Sequence, residues 1–190
     1  MMLTRKLSEV APFLESGGIG VLPTDTLYGL VGAARSESAV ERIYTVRERS
    51  KRKPFIVLIP SIEDLESFGV SLENPLRSFL ERHWPGKVSV VLPVAAGRWE
   101  YIHRGSKTVA FRLPDEPELM KLLMHVGPLV APSANPEGLP PARTIDEARG
   151  YFGGKVDFCV DGGELLGEPS TLVRYEGGAF TVLRKGAVSL

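Results

Sequence analysis

Apolar residues come in short bursts along this chain, and their spacing switches repeatedly between helical and extended. Leu3, Leu7, Val10, Ala11 and Leu14 recur at helical spacing, and Gly17-Gly18 close that helix. Residues 19–23 are apolar throughout, which predicts a buried strand, and residues 24–30 follow with Thr24, Asp25 and Thr26 at its carboxyl end. That end of an α/β sheet is where ligands bind, although a tight turn with Asp25 capping local amides fits the residues equally well. Val40, Ile43 and Tyr44 give a second helix its inward stripe, and Ser38 with Glu41 matches a capping box at its start. A strand is predicted at 55–59 and a helix start at 61–64. Asn74-Pro75 opens a helix with Leu76, Phe79 and Leu80 on one face, and Trp84-Pro85-Gly86 ends it.

Residues 88–92 predict a strand in which Ser89 is the only polar side chain, and 95–107, without a period, predict a loop. Residues 108–112 alternate as a strand ending on Arg112. Asp115 and Pro117 begin a helix carrying Leu119, Leu122, Leu123 and Val126, and 129–131 form a short buried strand before the turn at 132–136. Thr144 and Glu147 match another capping box. Strands at 156–161, 171–175 and 180–184 close the chain, separated by Gly162-Gly163 and Gly177-Gly178. The interleaving predicts one α/β domain over residues 1–190, a twisted, open, mixed sheet with helices on its faces. No repeat or linker divides it.

Composition narrows the function classes. Of 190 residues 43% are hydrophobic and 24% charged, and 23 basic residues balance 23 acidic ones. A broadly basic nucleic-acid surface is excluded. No apolar run approaches the roughly 20 residues of a membrane span, and the amino terminus has no signal-peptide pattern, so a cytoplasmic location is expected. The lone Cys159, inside an apolar stretch, reads as a small buried hydrophobe. His83, His103 and His125 have no metal-ligand spacing, and no Walker loop, dinucleotide fingerprint or Gly-x-Ser-x-Gly elbow is present.

Against that neutral background residues 47–54 form a cationic knot, Arg47-Glu48-Arg49-Ser50-Lys51-Arg52-Lys53-Pro54, between a helix and a strand. A solvated face is the plain alternative. Arg47 and Arg49 carry planar forks that grip phosphate or carboxylate, and a local knot on a neutral chain suits a compact anion. Thr26, Thr108, Arg112, Ser133, Asn135, Ser170 and Arg184 add hydroxyls, an amide and isolated arginines at strand ends. Together they suggest a polar cavity that works by positioning and charge stabilisation, with no covalent nucleophile.

The run Pro23-Thr24-Asp25-Thr26-Leu27-Tyr28-Gly29-Leu30, the Arg47/Arg49 pair, Lys53-Pro54, Trp84-Pro85-Gly86, Val109 to Pro114, Ala131 to Asn135 and Ser170-Thr171 occur in order. As an ordered set they resemble the YrdC-like family, the threonylcarbamoyl-adenylate synthases, in its short bacterial form. The resemblance covers about residues 5–186. It implies a large concave cavity on the sheet and a reaction of L-threonine, bicarbonate or carbon dioxide, and ATP, with Mg2+ assisting. The products would be threonylcarbamoyl-AMP and pyrophosphate, serving tRNA modification beside the anticodon through a downstream transferase complex. It also leaves room for weak direct binding of tRNA or double-stranded RNA. Carried over by position, Arg49, Lys53, Thr108, Ser133 and Arg184 would bind ATP, while Thr26, Arg112, Ala131 and Ser170 would hold threonine. Arg47, Arg49, Ser133 and Asn135 make up the implied catalytic set. The sequence departs from the family pattern where Arg47 replaces a lysine, Leu58 a histidine and Pro141 a serine. The alternative is a nucleotide- or RNA-binding paralogue without synthase activity.

Overall fold

The structure, a computed structural model, describes residues 1–190 apart from Arg49, Lys51, Arg52, Lys53 and Ala96. Its first half runs β1 (Met2–Thr4), a 3-10 turn (Leu7–Val10), α1 (Ala11–Glu15), β2 (Ile19–Pro23), β3 (Tyr28–Ala33), α2 (Glu37–Val46), β4 (Ile56–Leu58), α3 (Asp64–Ser67), α4 (Asn74–His83) and β5 (Val88–Pro93). The second half continues with α5 (Glu100–His103), β6 (Thr108–Arg112), α6 (Pro117–Val126), β7 (Leu129–Val130), α7 (Ile145–Phe152), β8 (Phe158–Val160), β9 (Thr171–Glu176) and β10 (Ala179–Arg184). Among the described residues ten strands form one mixed sheet in the order β1-β8-β2-β3-β7-β4-β6-β5-β9-β10. No helix among the described residues is long and apolar enough to cross a membrane.

Alternation along the strands sorts two cores. Val57, Val90, Val109 and Phe111 face one side, where Ile43 and Tyr44 of α2 and Leu76 and Leu80 of α4 cover them. Leu22, Val31 and Leu58 face the other, under Leu14 of α1 and Leu119, Leu122 and Leu123 of α6. Each such side chain, fully withdrawn from water, contributes roughly 1.5–3 kcal/mol. Two residues before Leu58 on the same face lies Ile56, and there the surface becomes an open cleft.

Several predicted elements come out differently. Leu3 belongs to strand β1, paired in parallel with Cys159, rather than to the first helix. Leu7, Val10 and Leu14 do turn inward, but over a 3-10 turn followed by a short helix that has Pro12 in its first turn. β3 is a strand the pattern concealed, because Tyr28 through Gly32 are all buried and no alternation remains to read. It pairs antiparallel with β2, so residues 24–27 are a hairpin turn. α2 is capped by Ser36, which accepts from the Ala39 amide, and not by Ser38. Glu116 rather than Asp115 caps α6. Thr144 caps α7 as expected, although Glu147 accepts from the Arg143 amide one residue early. The segment at 95–107 contains the short helix α5. Cys159 is buried, and burial raises its thiol pKa.

Asp157, just before β8, ties three elements together. Its carboxylate accepts from the Ile19 amide at 2.8 Å and from both ends of the Arg42 fork at 2.9 and 3.2 Å. Partial burial alone would raise this carboxyl; the Arg42 and Ile19 donors outweigh it and hold it below the ordinary 3.8. A carboxylate depressed on folding stabilises the protein fully above its unfolded value, and the contribution fades as the pH falls through the folded one. The pair is partly exposed, so Asp157→Asn is expected to cost about 1–2 kcal/mol at pH 7. The difference in urea midpoint between parent and variant should shrink below about pH 4. A difference that persists unchanged in acid would show that the charge of Asp157 contributes nothing.

Candidate active site

The cleft is built on three neighbouring strands. Ala110 of β6 is in register with Ile56 of β4 on one side and Val91 of β5 on the other, and all three line its floor. An alanine at the centre leaves depth that a larger residue would fill. Thr108 and Arg112, two residues either way on β6, share this face by the period of two. The cavity is about 370 Å³. Thr26, Arg47, Thr108, Arg112, Ala131, Ser133, Ser170 and Arg184 all line it. Residues separated by more than 150 positions in sequence are thereby brought together. Arg49 and Lys53 lie outside the described residues.

The turn after β7 forms one wall, held by strands on both sides. Ala131 donates its amide to Ile56 at 2.8 Å, while Leu30 donates to Pro132 at 2.9 Å and Ala134 to Tyr28 at 2.8 Å. Ser133 faces the cleft from this turn, and Asn135 is buried behind it. Arg47, at the carboxyl end of α2, reaches across with only 3% of its surface exposed, so it is not part of a solvated face. Its Nε donates to the Asn135 carbonyl at 2.8 Å, and its Nη2 lies 3.2 Å from Asn135 Oδ1 and 3.4 Å from Ser133 Oγ. The Asn135 amide nitrogen in turn donates to the Pro136 and Leu139 carbonyls at 2.9 and 2.8 Å. Asn135 does not line the cleft; it sets the angle of the guanidinium that does. A lysine could not bridge these acceptors with one flat fork.

The opposite wall is the β2–β3 turn. Its local amides are capped by Thr24, whose Oγ1 accepts from Thr26 and Leu27 and donates to the Leu27 carbonyl at 2.7 Å. Asp25 is free of that task and instead forms an ion pair with Arg112 Nη1, with side chains 3% and 5% exposed. Arg112 Nη2 approaches Thr26 Oγ1 at 3.3 Å. An arginine only donates, so Thr26 Oγ1 accepts from it, and Thr24 Oγ1 lies 3.1 Å away on the other side in a contact where either hydroxyl can donate. Arg112 Nε is buried without an acceptor.

A third wall is the segment 167–171. A Cβ at Gly167 would collide with the Thr26 carbonyl, and one at Gly186 with the backbone of Pro169 and Ser170. Both glycines let backbone pack against backbone and so fix the cleft width. Ser170 Oγ meets Ser89 Oγ of β5 at 2.8 Å, both side chains buried. Arg184, from the end of β10, donates through Nη2 to the Ser170 carbonyl at 2.9 Å. Although the residue is exposed overall, partial burial of the guanidinium lowers its pKa. Tyr28 also borders the cleft, but its hydroxyl is engaged by Gly162 and Gly163, and burial raises its pKa.

Sequence reasoning missed Asp25 as the partner of Arg112, and it missed the glycines at 167 and 186. It singled out Ser89 as a polar residue in an apolar strand without a role. Removing one member of a buried ion pair leaves an uncompensated charge, worth about 3–5 kcal/mol. Asp25→Asn should therefore lower unfolding stability by about that much, read as a fall in denaturant midpoint at constant slope. A loss under about 1 kcal/mol would mean Arg112 finds another acceptor.

Residues 12–186 match the family described as "Telomere recombination", Sua5/YciO/YrdC. A threonylcarbamoyl-AMP synthase of Pyrococcus abyssi is 33% identical over 187 residues, 97% of this chain and 55% of that protein. A threonylcarbamoyl-AMP synthase of Cellvibrio japonicus is 32% identical over 161 residues, 84% of this chain and 85% of that protein. The chain thus spans about half the length of the Pyrococcus relative and most of the Cellvibrio one. The crystal structure of Pyrococcus abyssi Sua5 complexed with L-threonine superimposes with a TM-score of 0.89 at 32% identity, over 97% of this chain and 57% of that one. The chain belongs to the Sua5/YciO/YrdC family.

Proposed function

We propose that this protein is a threonylcarbamoyl-AMP synthase. It would join L-threonine, carbon dioxide or bicarbonate, and ATP into threonylcarbamoyl-AMP and pyrophosphate. The observation that carries the reading is a cleft walled by Arg47, Arg112 and Arg184 and edged by Thr26, Ser133 and Ser170. Such a site is rich in hydrogen-bond donors, and no carboxylate lines it among the described residues. It suits a ligand made of carboxylate and phosphate oxygens. The relatives named above and the threonine held by a solved relative support the same substrate.

In this reaction the threonine amine adds to carbon dioxide with loss of a proton, giving a carbamate. A carbamate oxygen then attacks the α-phosphorus of ATP. The bond from that phosphorus to the β-phosphate oxygen breaks, and pyrophosphate leaves with the electron pair. Thr26, Arg112, Ala131 and Ser170 would hold threonine. Thr108, Ser133 and Arg184, with Arg49 and Lys53, would face the nucleotide. Arg47 would stabilise charge that builds on the transferring phosphate, and Asn135 would act through Arg47 as a positioning residue. No group of three or more His, Cys, Asp or Glu side chains that could hold a metal ion occurs among the described residues. Magnesium accompanies ATP as the counter-ion of its phosphates. The product would pass to a transferase complex that modifies tRNA beside the anticodon, in the cytoplasm.

Pyrophosphate release should require threonine and bicarbonate together. Serine should replace threonine less well by roughly 1–3 kcal/mol, the worth of a methyl group in an apolar sub-pocket. Release that is unchanged without threonine would reduce the activity to ATP hydrolysis and leave the binding-only paralogue as the reading. Arg47→Ala should slow adenylate formation about 30- to 1000-fold under saturating ATP. A variant as fast as the parent would remove Arg47 from the chemistry.

A further inference from the structure

We infer that Ser89 is a positioning residue that fixes the direction of the Ser170 hydroxyl, so that Ser170 enters the cleft as a hydrogen-bond donor. Ser89 lies on β5 between Val88 and Val90, which face the apolar core. It is itself 0% exposed, and its Oγ has one polar neighbour, Ser170 Oγ at 2.8 Å. Distance alone does not tell which oxygen donates. Burial does. If Ser170 donated, the Ser89 proton would sit in the sheet with no acceptor, which costs as much as a lost hydrogen bond. If Ser89 donates, its requirement is met and one lone pair of Ser170 is occupied.

The Ser170 proton then has to go elsewhere. Among the described residues Ser170 Oγ has no other partner, and its residue lines the cleft. The backbone around it is held by Arg184 at the carbonyl of Ser170 and by the close packing of Gly186. The proton therefore points at the ligand, and the ligand must offer an oxygen acceptor at that place. A carboxylate oxygen meets this condition. The inference rests on the proposal that Ser170 belongs to the threonine end of the cleft, and it adds the polarity of that contact and the residue that sets it.

The test is a double-mutant cycle of Ser89→Ala and Ser170→Ala, with Ser89→Thr as the hydroxyl-retaining control. The readouts are the KM for L-threonine, kcat and thermal midpoint. Ser89→Ala should raise the KM for threonine roughly 3- to 10-fold, the worth of one net hydrogen bond, with kcat within about twofold. Ser89→Thr should restore most of it. In the Ser170→Ala background, Ser89→Ala should change KM less than about twofold, because the group it orients is gone. A KM unaffected by Ser89→Ala would overturn the inference. An effect of equal size in both backgrounds would overturn it too, since that is how a packing role behaves. A parent that binds threonine calorimetrically without forming adenylate would sink the synthase reading instead, and the same cycle would then be read in Kd.

Discussion

A guanidinium buried beside a cleft must be met by acceptors, or it costs more than the fold can supply. That constraint organises this protein. Arg112 is met by a carboxylate and Arg47 by the carbonyl and side-chain oxygens of Asn135, while the more exposed Arg184 donates to the carbonyl of Ser170. Each acceptor sits in a turn at a strand end, and each turn is clamped by main-chain bonds to strands that pack elsewhere. The hairpin turn, the turn after β7 and the segment at 167–171 are thus fixed by the sheet and in turn fix the arginines. Two walls of the cleft follow from satisfying two buried arginines, and Arg184 braces the third.

The partners also differ in charge. Asp25 matches the charge of Arg112, so that pair supports the wall while Nε keeps a donor uncommitted. Asn135 and the Ser170 carbonyl are neutral groups that orient their arginines. A chain with 23 basic and 23 acidic residues can therefore be neutral over its whole length and still hold a local excess of donors in one cavity. Such a field attracts a compact anion.

The sequence made the cleft residues legible because arginines, small hydroxyls and prolines at strand ends are conspicuous among apolar runs. Strand order and the buried partners were not legible. Asp25 and Arg112 are 87 positions apart, and nothing in either segment announces the other. Asp25 reads locally as a cap, a task that Thr24 performs with the same geometry one residue earlier. β3 was hidden for a different reason. Buried on both faces, it loses the period of two that marks a strand, and its two glycines suggest a turn. Ser36 and Glu116 displaced the expected caps by one or two positions, within the range over which hydroxyls and carboxylates can serve the same amides. Gly167 and Gly186 carry no local signal at all, since their φ values are ordinary and only the opposing backbone demands them.

The hydroxyl pair of Ser89 and Ser170 shows how far such accounting reaches. An apolar strand admits a serine only if its proton finds an acceptor, and here the acceptor is a residue of the cleft wall. The requirement of the core is thereby passed to the site: satisfying Ser89 decides what Ser170 can offer. At the hairpin turn, Thr24 caps the local amides and also shares a 3.1 Å hydroxyl contact with Thr26. Arg112 can only donate, so the Thr26 oxygen is already claimed from that side. At Ser170 the donor direction is therefore set by a group that no ligand touches, because Ser89 is buried in the sheet and claims a lone pair of Ser170.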